Sequence, residues 1–234
     1  MDGTGVRLER SDASNWAVQL YAMLDPRWAG GPIETLRFDS DGSSLDAAGI
    51  LALLPAGEWL PGTPDNDTLS GNGLRNSILG GAGNDTLNGA GNDDWLYPGT
   101  GNDDTNGGTG NDWIEDQDGG ADVYRYARGD GADLLFDRSN PTDTDRLVLG
   151  SGIVPADVQV RRIPDTDDLE LQVRNGGADV GDSIRVLAWF WDNSDAKIER
   201  IEFAGGTVWT AADIDNFLSG GPALPLAALR RPQQ

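Results

Sequence analysis

Acidic side chains that recur every nine residues are the feature of this sequence most suited to chemistry. From Gly62 to Glu115 the chain divides without a gap into the segments GTPDNDTLS, GNGLRNSIL, GGAGNDTLN, GAGNDDWLY, PGTGNDDTN and GGTGNDWIE. Their sixth positions are Asp67, Asn76, Asp85, Asp94, Asp103 and Asp112. Regularly spaced carboxylate and amide oxygens are hard ligands, which suit Ca²⁺ first and Mg²⁺ second. The spacing therefore predicts a calcium-binding segment.

The composition of the whole chain favours the same chemistry. The 234 residues carry 39 acidic and 17 basic side chains, and 32 of the acids are Asp, which beside 33 Gly is typical of turns rather than helices. The absence of Cys and His excludes disulfides, zinc sites built from these residues and Ser-His-Asp catalysis. A formal charge of −22 argues against nucleic acid as a partner, because phosphates would repel this chain. No run approaches the roughly 18 apolar residues of a membrane-spanning helix, so we expect no membrane span.

Short strands and tight turns must position the recurring acids. The eighth positions of the six segments are Leu69, Ile78, Leu87, Leu96, Thr105 and Ile114, and Gly or another turn former fills most of the first four. One apolar residue in nine suits a short strand that buries it, and Gly-rich hexads suit turns that need positive φ. Two nonapeptides then form one coil of a flattened right-handed β-helix. Asp85 would lie over Asp67, and Asp103 over Asp85, so that like charges repel unless a cation lies between them. A flexible polar linker is the alternative, but a linker needs no periodic Leu or Ile.

These segments resemble the RTX (repeats-in-toxin) nonapeptide GGxGxDxUx, a calcium-binding repeat. The resemblance implies a parallel β-roll in which calcium ions lie between successive turns, bound by sixth-position Asp side chains and backbone carbonyls. Carried over by position, the pairs on one side of the roll are Asp67 with Asp85 and Asp85 with Asp103; on the other side, Asp94 pairs with Asp112, with Asn76 above them. The carbonyl ligands implied are those of Gly80, Ala82, Gly89, Gly91, Gly99, Gly101, Gly108 and Gly110. We expect about three or more Ca²⁺ ions.

The residues after the repeat predict further β structure. The stretch DGGADVYRYARGDGADLLFD indicates a final turn, a strand at Val123–Tyr126 and another Asp-Gly turn. The runs DRLVLG, VQVRRI, LELQV, SIRVLAWF, KIERIEF and TVW alternate as half-buried antiparallel strands do. Residues 118–218 resemble a haemolysin-type calcium-binding-related module. The resemblance rests on GDGADLL, on the spacing of strands and turns, and on KIERIEFAGGTVWTAADI. Such a module would cover the open end of the roll. The expected fold class is all-β: a right-handed parallel β-roll flanked by antiparallel β capping segments.

The first sixty residues permit two interpretations. SDASNWAVQLYAML could form a capped helix, but Ile33 to Phe38 parallels Ile198 to Phe203, and Ala47 to Ile50 parallels Ala211 to Ile214 with one residue inserted. We therefore favour the tail of a preceding copy of the capping module. The expected domains are the preceding copy at 1–60, the RTX roll at 61–117, the capping module at 118–218 and a disordered tail at 219–234.

The function expected is that of a non-catalytic calcium-binding RTX module from a larger secreted or surface protein, which folds on calcium after export. The resemblance implies an extracellular or cell-surface location and type I secretion from a Gram-negative bacterium. Two alternatives stay open: a carbohydrate-binding accessory module of a polysaccharide-active enzyme, and a structural unit of an adhesin or surface-layer array that contacts neighbouring copies. Abundant acids make any single carboxylate pair uninformative about catalysis, so no catalytic residue is predicted.

Overall fold

The computed structural model describes residues 35–37, 44–46, 59–138, 143–191 and 197–226. The chain divides into two compact units, residues 1–56 and 57–234. In the first unit, the described residues form an antiparallel hairpin of β1 (Thr35–Arg37) and β2 (Ser44–Asp46), with Leu36 opposite Leu45. The helix considered for SDASNWAVQLYAML lies outside the described residues.

The second unit contains two sheets between which the chain alternates. One sheet holds β3 (Trp59–Pro61), β5 (Ser77–Ala82), β7 (Trp95–Thr100), β9 (Trp113–Asp116), β11 (Ala132–Asp137) and β15 (Ala178–Val186). The other holds β4 (Thr68–Ser70), β6 (Thr86–Asn88), β8 (Asp104–Asn106), β10 (Val123–Tyr126), β12 (Arg146–Leu149) and β16 (Arg200–Phe203). Neighbours in each series pair in parallel, which gives a solenoid of about five turns.

The coils stack with the register that two nonapeptides require. Ser77 is opposite Trp95, Trp95 is opposite Trp113, and Thr68 is opposite Thr86, each a step of 18 residues. The prediction that each repeat lies over the repeat two before it is confirmed. The eighth-position side chains Ile78, Leu87, Leu96 and Ile114 are at most 4% exposed and form one continuous core inside the roll. Thr105 occupies the same buried row with a hydroxyl that has no hydrogen-bond partner among the described residues.

Parallel stacking continues beyond the last nonapeptide. Val123 pairs with Asp104 and with Arg146, so β10 and β12 extend the second sheet although their spacing departs from 18. The run DRLVLG was expected to be antiparallel, but it forms β12, which is parallel to both neighbours. Alternation of apolar residues reports which face is buried, and it carries no information on strand direction. The division at residue 117 stays a prediction, since the roll and the module after it share both sheets.

Antiparallel segments close the C-terminal end of the solenoid, as the fold prediction requires. A hairpin of β13 (Val158–Arg162) and β14 (Leu169–Asn175) adds to β15, and β17 (Val208–Thr210) adds to β16. A short 3₁₀ helix (Pro155–Asp157) precedes β13. The helix α1 (Ala211–Leu218) follows β17 and was not predicted. Thr210 begins α1 through a capping box, because its hydroxyl accepts the Asp213 N–H while the Asp213 carboxylate accepts the Thr210 N–H.

Aromatic side chains of β16 and β17, and the residues after α1, pack at the C-terminal end of the solenoid. Trp209 is 1% exposed, packs edge-to-face on Phe203 at 4.6 Å, and donates its Nε1–H to the carbonyl of Pro225 at 2.7 Å. The sequence analysis places residues 219–234 in a disordered tail. Within residues 219–226, Pro225 contacts the rest of the second unit through this hydrogen bond. Residues 227–234 lie outside the described part. Within the described residues, no helix is long and apolar enough to cross a bilayer.

Candidate metal centre

Sixth-position side chains form a ladder along one side of the roll. Asp85 Oδ1 accepts the backbone N–H of Asp67 at 2.8 Å, and Asp103 Oδ1 accepts the N–H of Asp85 at 2.7 Å. Each carboxylate thus holds the backbone of the preceding coil, because the 18-residue register brings equivalent turns together. The structure brings together both pairs that the sequence assigns to this side.

An equivalent ladder runs along the opposite side. Asp94 Oδ1 accepts the backbone N–H of Asn76 at 2.7 Å, and Asp112 Oδ1 accepts the N–H of Asp94 at 2.8 Å. The alternation of strands between two sheets places consecutive nonapeptides on opposite sides, which is why Asp94 lies here and Asp85 does not. The three residues predicted for this side therefore lie together.

In four buried carboxylates of the ladders, the second oxygen has no hydrogen-bond partner among the described residues. Oδ2 of Asp85, Asp94, Asp103 and Asp112 is inaccessible and makes no hydrogen bond to a described residue. These side chains are at most 2% exposed. A buried carboxylate oxygen without a partner is costly, so native proteins pair such oxygens with a donor or a metal. The unsatisfied Oδ2 atoms are therefore the oxygens best suited to a cation, and they fit calcium chemistry.

Burial also changes the acidity of these side chains. Desolvation raises the pKa of Asp94 and of Asp103 to about 7 and the pKa of Asp112 to about 6, against an ordinary value of 3.8. Burial raises the pKa of Asp85 as well. The N–H donated to each Oδ1 acts in the opposite direction but does not compensate. In the absence of a cation, these carboxylates therefore bind protons close to neutral pH, and protons compete with calcium for them.

Glycine at the first position leaves room beside the unsatisfied oxygens. A Cβ on Gly89 would lie within 3.0 Å of both Asp94 Oδ2 and the carbonyl oxygen of Gly107 in the next coil. A Cβ on Gly80 would likewise crowd Asp85 Oδ2 and the carbonyl oxygen of Pro98. In these two turns, a carboxylate oxygen and a carbonyl oxygen therefore flank one small space, which is the ligand pairing that Ca²⁺ uses.

The carbonyl ligands predicted from sequence fall at different positions of the turn. Gly80 and Gly89 occupy first positions. A Cβ on Gly71 would lie within 3.0 Å of both the carbonyl oxygen of Gly89 and Asn76 Oδ1, so these two oxygens flank the same small space. Ala82 and Gly91 occupy third positions, where their N–H groups bond to carbonyls of the preceding coil. Gly99, Gly101, Gly108 and Gly110 occupy second and fourth positions and have positive φ. The carbonyls of Pro98 and Gly107 are the first-position oxygens that the sequence analysis missed, and the carbonyl assignments stay predictions.

The ladders also extend beyond the predicted residues. Asp122 Oδ1 accepts the N–H of Asp103 at 2.6 Å, and Asp145 Oδ1 accepts the N–H of Asp122 at 2.8 Å. On the other side, Asp133 Oδ1 accepts the N–H of Asp112 at 3.0 Å. Asp122 and Asp133 end the motifs DGGAD and GDGAD, which could have signalled further turns of the same type.

Replacement of Gly89 by Ala is expected to weaken metal binding on the second side of the roll. The methyl group would occupy the space between Asp94 Oδ2 and Gly107 O, and backbone strain plays no part because the φ of Gly89 lies outside the left-handed region. We expect the free energy of calcium binding to weaken by about 1–3 kcal/mol, which is the usual cost of inserting a methyl group into a packed site. The measurement is calcium affinity by isothermal titration calorimetry. Gly73→Ala is the control, because nothing lies within 4 Å of that Cβ; equal affinities for the two variants would contradict the assignment.

Acid is expected to stabilise the calcium-free fold and to destabilise the calcium-bound fold. The pKa of Asp94 is about 7 in the folded chain, against an ordinary value of 3.8 that applies to the unfolded chain. Protonation of Asp94 therefore stabilises the folded state fully below about pH 4, and this contribution is lost as the pH rises through about 7. At about 1.4 kcal/mol per pKa unit, this shift corresponds to about 4 kcal/mol. With calcium bound the direction reverses, because protons displace the ion. Far-UV circular dichroism of the metal-free chain at pH 5 and pH 8 measures the first effect, and thermal unfolding in calcium at the same two pH values measures the second. Changes in the same direction would be the contrary result.

The comparisons with known proteins agree with this geometry. Residues 61–96 and 70–105 match the family model described as the RTX calcium-binding nonapeptide repeat (4 copies). Residues 168–213 match the model described as the haemolysin-type calcium binding protein related domain. Comparison with curated proteins gives no match. The chain therefore carries RTX repeats followed by this related domain, as the resemblance predicted. RTX repeats bind calcium, typically belong to secreted proteins and are generally not catalytic.

Proposed function

We propose that this chain, which carries RTX repeats and a haemolysin-type related domain, is a non-catalytic calcium-binding module of a larger secreted bacterial protein. Its roll would fold when calcium binds after export by type I secretion, outside the cell or at its surface. The observation that carries the proposal is the row of buried Oδ2 atoms, on both sides of the roll, that make no hydrogen bond to any residue in the described part of the chain. Calcium would supply positive charge between stacked turns and complete the shell of each unsatisfied carboxylate.

Charge supports a fold that depends on calcium. Residues 62–115 carry nine acidic side chains and one arginine, a net charge of −8, and about three divalent ions would offset most of it. Where free calcium is low, the acids repel one another and favour an open chain suited to export. Where calcium is millimolar, ion binding becomes folding free energy, with an expected Kd of about 10⁻⁴–10⁻³ M per ion.

We assign the ions to the ladders described above. On one side an ion would lie between Asp67 and Asp85 and another between Asp85 and Asp103. On the other side an ion would lie between Asp94 and Asp112, with Asn76 contributing a neutral oxygen above them. Calcium titration of the metal-free chain, with magnesium as the control and far-UV circular dichroism as the readout, tests the proposal.

We also propose that residues 1–60 contain the end of a second capping module. The alignment makes Leu36 equivalent to Ile201 and Leu45 equivalent to Trp209 with one residue inserted. The described hairpin pairs Leu36 with Leu45, and the β16–β17 hairpin pairs Ile201 with Trp209. Strand pairing at matched positions supports a duplication and the array alternative, in which the chain contacts neighbouring copies. Association that grows with calcium, measured by sedimentation, would support that role.

Aromatic side chains on the outer surface of the solenoid favour carbohydrate binding as a second candidate function. Trp95 lies next to Trp113 in register and is 41% exposed, and Trp191 is 54% exposed. Trp113 and Trp191 line a groove of about 530 Å³ that also contains the carboxylate-bearing Asp168. Exposed rings beside carboxylates suit stacking on sugar rings with hydrogen bonds to hydroxyls. Quenching of tryptophan fluorescence by neutral oligosaccharides, lost in Trp191→Ala, tests this candidate.

A further inference from the structure

Three buried acids meet inside the roll at a place that the nonapeptide pattern does not include. Asp116 ends β9, one residue beyond the last nonapeptide and outside the segment that matches the RTX model. Its carboxylate lies beside those of Asp103 and Asp122, and one oxygen from each falls within 4.8 Å of the others. The three side chains are 1%, 2% and 0% exposed. This cluster joins the end of a strand in one sheet to the ladder beside the other sheet.

Each carboxylate of the cluster has one oxygen engaged by the backbone. Asp103 and Asp122 each accept a ladder N–H at Oδ1, and Asp116 Oδ1 accepts the N–H of Asp118 at 3.1 Å. Oδ2 of Asp103 and Oδ2 of Asp122 are buried and make no hydrogen bond to a described residue. None of the three acids forms an ion pair with a described Lys or Arg. Backbone donors therefore orient the carboxylates, while no Lys or Arg in the described part of the chain pairs with their charge.

We propose that Asp103, Asp116 and Asp122 hold one further Ca²⁺ in a three-carboxylate site, in which Asp103 is shared with the turn site proposed between Asp85 and Asp103. Oxygens bound at 2.3–2.6 Å lie at most about 5 Å apart across the ion, so three carboxylate oxygens that all lie within 4.8 Å of one another can bind one Ca²⁺ together. The inference rests on the proposed calcium-binding function and adds to it a tighter site, because affinity rises with the number of charged ligands and with the rigidity of the site.

The same arrangement recurs one coil further along the roll. Asp137 ends β11, lies opposite Asp116 in the sheet, and forms a second cluster with Asp122 and Asp145 within the same 4.8 Å. The hydroxyl of Tyr124 lies between the two strand ends, 2.7 Å from Asp137 Oδ2 and 3.3 Å from Asp116 Oδ2. An acid at the end of a strand, facing the ladder, is therefore a repeated feature of this part of the solenoid.

The test compares Asp116→Asn with Asp118→Asn by counting bound calcium in equilibrium dialysis. Asp118 is exposed, carries the same charge and keeps its backbone N–H on substitution, so it is a matched control. At about 10 µM free calcium, where repeat sites with Kd of about 10⁻⁴–10⁻³ M stay largely empty, we expect the parent and Asp118→Asn to retain calcium. Asp116→Asn should bind this ion at least about tenfold more weakly.

The outcomes separate this inference from the proposed function. If Asp116→Asn retains as much calcium as the parent, the site is refuted, while calcium bound at millimolar concentration and reduced by Asp85→Asn would still support the repeats. If the parent binds no calcium at any concentration, both fail. Circular dichroism in saturating calcium checks that Asp116→Asn folds. If it does not, anomalous scattering from a crystal of the unsubstituted protein in calcium decides: density among Asp103, Asp116 and Asp122 supports the site, and density confined to the repeat turns overturns it.

Discussion

Removal of calcium is expected to unfold most of the roll. At about 1 mM calcium, an ion that binds only the folded chain with a Kd of about 10⁻⁴ M contributes about 1.4 kcal/mol, so three such ions contribute about 4 kcal/mol. This approaches the lower end of the stability of an ordinary domain, about 5–15 kcal/mol. Asp85, Asp94 and Asp103 form no salt bridge among the described residues, and desolvation raises the pKa of Asp94 by more than the nearby Arg75 lowers it. Their burial in the folded state therefore depends on bound ions or protons.

Calcium added to the metal-free chain should produce a cooperative gain of β signal in far-UV circular dichroism, because each ion joins two coils and prepares the next site. Magnesium at the same concentration should produce little change, since it keeps its water and needs octahedral geometry. A chain already folded in metal-free buffer at pH 8, with a spectrum that calcium leaves unchanged, would show an ordinary solenoid and refute the proposed function.

Replacement of Asp85 by Asn should have the second-largest effect, because Asp85 faces two neighbouring sites. Its Oδ1 holds the N–H of Asp67, and an amide oxygen can keep that bond. Its Oδ2 is buried beside the carbonyl of Pro98 and has no hydrogen-bond partner within the described ranges. Substitution by Asn would replace this oxygen with a neutral amide and remove the negative charge. We expect the calcium midpoint of folding to rise about tenfold, which corresponds to about 1.4 kcal/mol.

Asp65→Asn is the matched control for this experiment. Asp65 lies on the same side of the roll and loses the same charge, but it is exposed. Its midpoint should stay close to that of the parent, because exposed charges are screened by solvent. A calcium titration followed by circular dichroism compares the three proteins, and a shift of equal size in both variants would mean that general charge, rather than the ladder, determines affinity.

Much of the roll could be predicted because its geometry repeats. A constant nine-residue period brings equivalent turns together every 18 residues, so the pairing of Asp85 with Asp67 and of Asp94 with Asn76 follows from counting. The apolar eighth position gave the core by the same reasoning. Thr105 departs from the apolar pattern, yet its place in the buried row was fixed by the period alone.

The continuation of the ladders could not be counted in this way. Asp122 follows Asp103 by 19 residues and Asp145 follows Asp122 by 23, since longer turns intervene. Asp-rich turns occur throughout this chain, so composition does not distinguish a ladder residue from a solvated one. The helix α1 was missed because its eight residues follow a strand directly, although Thr210 and Asp213 carry the spacing of a capping box.

The sequence by itself determined the solenoid, its 18-residue register and the two rows of sixth-position acids, because a strict period leaves the stacked coils one way to align. Only the tertiary structure decided that β12 and β16 run parallel to the roll, since alternation in a strand reports burial and not direction. It also decided that Asp116 meets Asp103 and Asp122. These acids lie on different coils and in different sheets, and their approach depends on turn lengths and strand pairing that no local pattern encodes.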